Sequence, residues 1–326
     1  MNKGATFRGW VIMALAVSTL AFNAAALAQD WPNRPIRLIV PFAPGGGTDL
    51  IARMIGPELS ERLGQPVVVE NRAGANGIVG LQLLMTAKDE HTFSVMSAGP
   101  LVVNPHVYQK LPYDTLRDFT AISNLATFPL LLATHPKVQA GNLKEFIALA
   151  KTKSVTYSSP GVGNTNHLAG ELFASMAGVS MVHVPYKGSS PAVAAVYSGE
   201  VDATFTSIPT ILPFVRNGQV NVLGVGNAER ISFLPEIPSI AEAGLPGYEA
   251  FTWVGLIGPA GLPRNVVARL NKEVVEIFKS KEVDELLLGQ GAVATTTSPE
   301  AFDVYIRSEL TKWGEIAKRA NIKLDN

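Results

Sequence analysis

The sequence contains no cysteine. That excludes disulfides, thiolate-ligated zinc, iron–sulfur clusters and a thiol nucleophile. It has no surplus of charge either: Lys and Arg number 27, Asp and Glu number 27, and the net charge is zero. A nucleic-acid binder would carry a basic excess, so no nucleic-acid partner is expected. None of the five histidines (His91, His106, His135, His167, His183) stands two to four residues from another, and no H-E-x-x-H occurs. Metal-ligand spacing is therefore missing, and no metal or other cofactor is expected. The G-x-S-x-G nucleophile elbow is absent, as is the Gly-Lys-Ser/Thr of a phosphate-binding loop. Gly161-Val162-Gly163 lacks the third glycine of a dinucleotide fingerprint. Catalytic groups can assemble from distant residues, so these absences shift weight toward a binder without excluding an enzyme.

What is present is a large apolar fraction. Of 326 residues, 47% are hydrophobic and 17% charged, enough to bury a sizeable core and long enough for two domains. The N-terminus is built as a secretory signal peptide: Lys3 and Arg8, an apolar run from Trp10 to Phe22, then Ala26-Leu27-Ala28 before Gln29. The apolar run is too short to span a bilayer, and cleavage is expected after Ala28. Removal takes two basic and no acidic residues, leaving a slight acidic balance. No later segment has spanning length, so an exported, periplasmic protein is expected.

The mature chain alternates strand and helix patterns. Ile36–Val40, Val67–Val69 and Phe93–Met96 read as strands, with a helix marked by Ile51, Ile55, Leu59 and Leu63 between the first two. Thr48 is its expected N-cap and Gly64 its stop, and Pro57 should kink it near Met54–Gly56. The pattern then restarts. Asn142 and Glu145 open a helix with a capping box, Val155–Ser158 is a strand, and Asn166–Ala177 is a helix stopped by Gly178. Val179–Val184, Val201–Phe205 and Val220–Val225 follow as strands. Ser190 with Pro191 is the expected start of the helix ending at Gly199. The tail carries two amphipathic helices, with stripes Val266-Leu270-Val274-Ile277 and Phe302-Ile306-Leu310-Trp313, and no strand pair after them. The expected fold is α/β, two lobes with crossings near Ala126–Ala133 and Tyr248–Ile257. Trp253 is expected in hinge or core packing.

The loops suit anions. In parallel α/β sheets, ligands sit beyond the carboxyl ends of the strands. A glycine-rich turn frees backbone N–H groups, and the following helix adds the positive end of its dipole. Phe42–Asp49 offers this arrangement in one half and Ser158–His167 in the other.

These stretches also carry a resemblance. Trp31-Pro32-Asn33-Arg34-Pro35-Ile36, Pro41-Phe42-Ala43-Pro44-Gly45-Gly46-Gly47-Thr48-Asp49 and Gly64-Gln65-Pro66-Val67-Val68-Val69-Glu70-Asn71-Arg72 are similar to segments of the substrate-binding proteins of tripartite tricarboxylate transporters, the Bug family. So are Pro160-Gly161-Val162-Gly163, His167-Leu168-Ala169-Gly170-Glu171-Leu172-Phe173, Val184-Pro185-Tyr186-Lys187-Gly188, Pro238-Ser239-Ile240-Ala241-Glu242-Ala243-Gly244 and Gly258-Pro259-Ala260-Gly261-Leu262-Pro263. The resemblance implies a type II periplasmic binding protein with a ligand cleft between two α/β lobes. Lobe 1 would comprise residues 29–128 and lobe 2 residues 129–250, with 251–326 returning to lobe 1.

It also implies a small organic acid, or a related amide or aromatic acid, as ligand, with a membrane permease or a sensor domain as partner. The ligand shell carried over is Phe42, Ala43, Gly45, Gly46, Thr48, Asp49, Ser158, Ser159, Gly163, Asn164, Thr165, Asn166 and His167. Tyr186, Lys187, Gly188, Thr206 and Ser207 border it, with Asn76 and Ser97 after the second and third strands. Asn164-Thr165-Asn166 stands where many relatives carry a serine-containing run, in the expected specificity loop. The rival reading is a secreted hydrolase or isomerase on a similar frame, with His167 and Asp49 as acid and base.

Overall fold

The computed structural model describes residues 31–231 and 233–319. The expected signal peptide and its cleavage site lie outside the described residues. No described helix is long and apolar enough to cross a membrane.

Lobe 1 is a sheet in the order β2-β1-β3-β9-β4, made of Val67–Asn71, Ile36–Val40, Thr92–Ser97, Phe251–Pro259 and the first part of Phe119–Thr134. β1 runs parallel to β2 and β3, and β9 runs antiparallel to β3 and β4. Lobe 2 has the order β6-β5-β7-β4: Met181–Pro185, Val155–Ser159, Ala203–Ser207 and the last part of β4. β8 (Asn221–Val225) pairs with β4 there, and β10 (Val293–Ala294) pairs with β4 in lobe 1.

β4 therefore belongs to both sheets. Phe119–Pro129 pairs with β9, and Leu130–Thr134 pairs with β7 and β8. Leu130 N–H donates to the Ala250 carbonyl, Ala250 N–H to Gly226, and Gly226 N–H to Leu130. Gly226 is required here, because a Cβ would lie 2.4 Å from the Ala250 oxygen.

Each sheet is covered on both faces. β1 sends Ile36, Leu38 and Val40 into one cluster and Ile39 into the other, the period-2 alternation of a strand. β4 does the same in lobe 2, with Leu130 and Leu132 on one face and Leu131 and Ala133 on the other. Each such buried Val, Leu or Ile side chain stabilises the fold by roughly 1.5–3 kcal/mol.

The helices are α1 (Gly47–Leu63), α2 (Ile78–Ala87), α3 (Asn104–Val107), α4 (Thr115–Asp118), α5 (Leu143–Thr152), α6 (Thr165–Ala177), α7 (Ser189–Tyr197), α8 (Ile208–Arg216), α9 (Ile240–Ala243), α10 (Arg264–Phe278), α11 (Lys281–Leu288) and α12 (Pro299–Arg319). The stripe of α10 joins one lobe 1 cluster, and Phe302 and Ile306 of α12 join the other.

Three local expectations are corrected. The N-cap of α1 is Gly46, not Thr48, and it supplies no side-chain bond. α1 runs from Gly47 to Leu63 with Pro57 inside it. α7 starts at Ser189 after Gly188, not at Ser190, because Gly188 (φ 138°) makes the turn and passes over Ala43. The tail has three helices rather than two, with β10 between the second and third. Asn142 caps α5 by accepting from Glu145 N–H, while the Glu145 carboxylate reaches back to Gly141 N–H and the Asn142 side chain, and Gly178 ends α6 in the left-handed conformation. Trp253 is fully buried against Phe302 and Tyr305.

Candidate functional site

The turn from β1 into α1 presents backbone rather than side chains. The first N–H groups of a helix have no intrahelical partner, and the glycine cap of α1 gives them none. Asp49 braces this turn. Its Oδ2 accepts from Gly45 N–H and Arg53 Nε, both at 2.9 Å, and its Oδ1 accepts from Asn71 Nδ2 at 2.8 Å. Asn71 Nδ2 also donates to the Phe42 carbonyl at 3.1 Å. Burial pushes the Asp49 pKa up, but the bonds from Arg53, Gly45 and Asn71 outweigh it and hold the carboxyl below its ordinary value.

Lobe 2 brings three more helix N-termini to the same place. α6 starts behind Asn164, whose Oδ1 accepts from Asn166 N–H at 3.2 Å. Asn166 Nδ2 donates to the Phe205 carbonyl at 2.8 Å. α7 starts after Gly188 and α8 after Ser207, both without a side-chain cap. Gly46, Gly47 and Thr48 of α1, Asn164 and Asn166 of α6, Ser189 of α7 and Ser207 of α8 line one cavity between the lobes. It contains about 440 Å³ of atom-free space, mouth included.

The remaining wall is Phe42, Ala43, Asp49, Ser97, Phe128, Pro160, Thr252 and Val254. These linings include no Lys, Arg or His. Asp49 is the one charged member, and its oxygens are engaged. Two of these residues, Ser97 and Thr252, carry buried hydroxyl oxygens with no hydrogen-bond partner among the described residues. Leaving such a group unpaired costs roughly 1–3 kcal/mol. A helix N-terminus attracts an anion by roughly 0.3–1 kcal/mol when exposed and up to about 2 when partly buried. Dipoles and hydroxyls without a cation are chemistry that suits an anion.

Behind the lobe 2 wall lies a histidine pair. The rings of His167 and His183 stack at 3.9 Å. His167 Nδ1 accepts from Gly163 N–H at 3.2 Å, and its Nε2 lies 3.7 Å from Glu171. His183 Nε2 meets Ser159 Oγ at 2.6 Å. Burial lowers the His167 pKa to about 4; burial and then the His167 charge lower that of His183 to about 3. Both rings are neutral near pH 7.

Of the residues singled out in the sequence, Phe42, Ala43, Gly46, Thr48, Asp49, Ser97, Asn164, Asn166 and Ser207 line the cavity. Gly45, Asn76, Ser158, Ser159, Gly163, Thr165, His167, Tyr186, Lys187, Gly188 and Thr206 are not among its lining residues. Ser158 Oγ donates to the Ala192 carbonyl, Tyr186 OH donates to Glu200, and the Lys187 side chain is exposed. The Lys187 carbonyl accepts from Ala43 N–H at 3.3 Å, across the lobes. His167 and Asp49 form no reacting pair: one is tied to Gly163 and the other to three donors. The hydrolase reading therefore has no assembled acid and base.

The sequence reading missed Phe128, Ser189, Thr252 and Val254 as wall residues. Gly47, the first residue of α1, and Pro160 stand beside residues that were named.

A protein-family profile, the tripartite tricarboxylate transporter family receptor (TctC), matches residues 51–322. A protein from the tcbD-tcbE intergenic region of Pseudomonas sp. (strain P51) is 39% identical over 308 residues, 93% of this chain and 91% of that one. The solved structure of R. palustris Rpa4515 with adipate is 34% identical with a TM-score of 0.88, covering 90% of this chain and all of that one. The periplasmic binding protein BugD is 28% identical with a TM-score of 0.86 over the same shares. With the profile spanning most of its length and both lobes shared with solved relatives, the chain belongs to the tripartite tricarboxylate transporter receptor family, a family of substrate-binding proteins.

Proposed function

We propose that the cleft captures a small carboxylate-bearing solute and that the protein hands it to the membrane subunits of a tripartite transporter or to a sensor. Residues 1–28 serve as the export signal, cleaved after Ala28, and the mature protein works in the periplasm as a binder, not an enzyme. Residues 129–250 form the second lobe and close on the first. The observation that carries the reading is a cavity ringed by four helix N-termini, with Ser97 and Thr252, whose buried hydroxyls have no partner among the described residues, in its wall. A carboxylate accepts from both kinds of donor. The adipate bound by Rpa4515 is a ligand of this chemistry.

The test is thermal unfolding of the chain from Gln29 onward, with mono-, di- and tricarboxylates and their amides. A ligand at 100 times its Kd adds about 2.7 kcal/mol, a rise of roughly 5 °C or more at this size. The Thr252→Val variant sharpens the test. It removes an unpaired buried hydroxyl, so the free protein should unfold at the same temperature or slightly higher. Carboxylate binding, read by titration calorimetry, should weaken about tenfold. A panel without any carboxylate response, or an equal response to the matching amide, would sink the reading.

A further inference from the structure

A chain of side chains joins the lobes on one side of the cleft. Asn164 Nδ2 donates to Asn76 Oδ1 at 3.1 Å. Asn76 Nδ2 donates to Asn104 Oδ1 at 2.8 Å. Asn104 Nδ2 donates to Tyr113 OH at 3.3 Å, and Tyr113 OH donates to the Pro100 carbonyl at 2.5 Å. All four links point the same way, from lobe 2 into lobe 1, and links so arranged polarise one another. Asn76, Asn104 and Asn164 are all at least nine-tenths buried.

Asn76 is the joint of this chain and does not line the cavity. Its backbone sits in the left-handed region (φ 44°, ψ 50°), which asparagine tolerates better than most residues. The neighbouring backbone of the other lobe is pressed against it: a Cβ on Gly161 would lie 3.2 Å from Asn76 Cβ. Asn164 faces two ways. Its Oδ1 caps α6 and its Nδ2 reaches Asn76, while the residue itself is part of the cavity wall.

We infer that Asn76 is a positioning residue for ligand capture: it holds the lobes closed through Asn164, so that losing it favours the open cleft and speeds release without altering the wall. The inference rests on the cleft being the binding site proposed above. Opening separates Asn76 from Asn164, so this bond weights only the closed state. A ligand that needs the closed wall then gains affinity in proportion to the closed fraction.

The test reads lobe separation directly and needs no ligand, so its failure is distinct from a failure of carboxylate binding. The native chain has no cysteine, and Glu58 and Lys151 are exposed on helices of opposite lobes. Glu58→Cys and Lys151→Cys therefore accept a pair of spin labels cleanly. Asn76→Gly keeps the left-handed backbone and removes the joint. Asn164→Ser keeps a good helix cap but is too short to reach Asn76.

Each variant is expected to raise the open-to-closed ratio about two- to tenfold, the worth of one net hydrogen bond. The double variant should raise it no further than either alone, because both cut the same link. A structural role alone would lower the unfolding temperature and leave the distance distribution in place. An unchanged distribution in Asn76→Gly, or in Asn164→Ser should the first variant fail to fold, overturns the inference. So does full additivity in the double variant.

Discussion

The two walls of the cleft are made of different material. Lobe 1 offers mainly backbone, Gly46, Gly47 and Thr48 at an uncapped helix start, beside the hydroxyl residues Ser97 and Thr252, with its one charged wall residue, Asp49, turned to brace the turn. Lobe 2 offers side chains: Asn164, Asn166, Ser189 and Ser207, backed by the stacked imidazoles. Backbone donors are the same whatever the side chains are, so the lobe 1 wall is suited to a group common to many ligands. Side-chain donors change with sequence, so the lobe 2 wall is where this chain can set its own preference. The contrast also separates what each wall depends on: lobe 1 on an ion-paired brace, lobe 2 on neutral buried rings.

Asp49→Ala should give the largest effect. It strips a partner from Gly45 N–H, from Arg53 and from Asn71 at once. Bonds to a charged group are worth roughly 1.5–3 kcal/mol each, partly recovered by water at the exposed Arg53. A stability loss of about 2–4 kcal/mol is expected in urea unfolding, with carboxylate affinity down at least tenfold as the turn loses its shape. A variant that binds normally would show that lobe 1 needs no brace.

Acid should strike the other wall first. A histidine with a folded pKa below its ordinary 6.5 binds protons more weakly folded than unfolded. Its stability contribution is full above about 6.5 and is lost as pH falls toward the folded values, about 4 for His167 and about 3 for His183. For His167 that amounts to about 3 kcal/mol. Burial is the cause of the His167 shift, with Glu171 standing 3.7 Å from its Nε2.

In lobe 1, hydrogen bonding from Arg37 and then Arg72, against burial, holds Glu70 at about 2, so it stays ionised through the same range. Burial, then Arg34, lowers His91 as well, but it is a single ring without a stacked partner histidine. Between pH 6.5 and 4, amide protection, taken relative to the intrinsic exchange rate at each pH, is expected to fall in β5–β7 before β1–β3. The reverse order would contradict the comparison.

How far the sequence could show this contrast depends on separation along the chain. The lobe 1 turn is contiguous, and its glycines announce it. Strands β1, β5 and β7 also read directly, because turn residues bound short apolar runs. β4 and β9 did not read as strands. Both are buried on both faces over long stretches, so no period-2 alternation marks them. Phe128, Thr252 and Val254 enter the wall only because β4 and β9 pair over their whole contact, Phe128 opposite Thr252. His183 stands 16 residues from His167, far from any helical spacing, and the pair forms because β6 lies beside the start of α6. Asn76 read as a loop residue near a ligand; its link to Asn164 crosses the lobes and has no local signal.

The smallest expected effect lies at the seam where the two walls meet in solvent. Ser190 Oγ donates to the Pro44 carbonyl at 2.7 Å, joining α7 to the lobe 1 turn. Both geometry and length are good, yet the bond is exposed, and water can replace either partner when the lobes part. Ser190→Ala should therefore change the open-to-closed ratio less than twofold, against two- to tenfold for Asn76→Gly, in the same spin-label measurement. If Ser190→Ala opened the cleft as far as Asn76→Gly, the lobes would be held by solvent-facing contacts around the rim, and burial of the asparagine chain would confer no advantage.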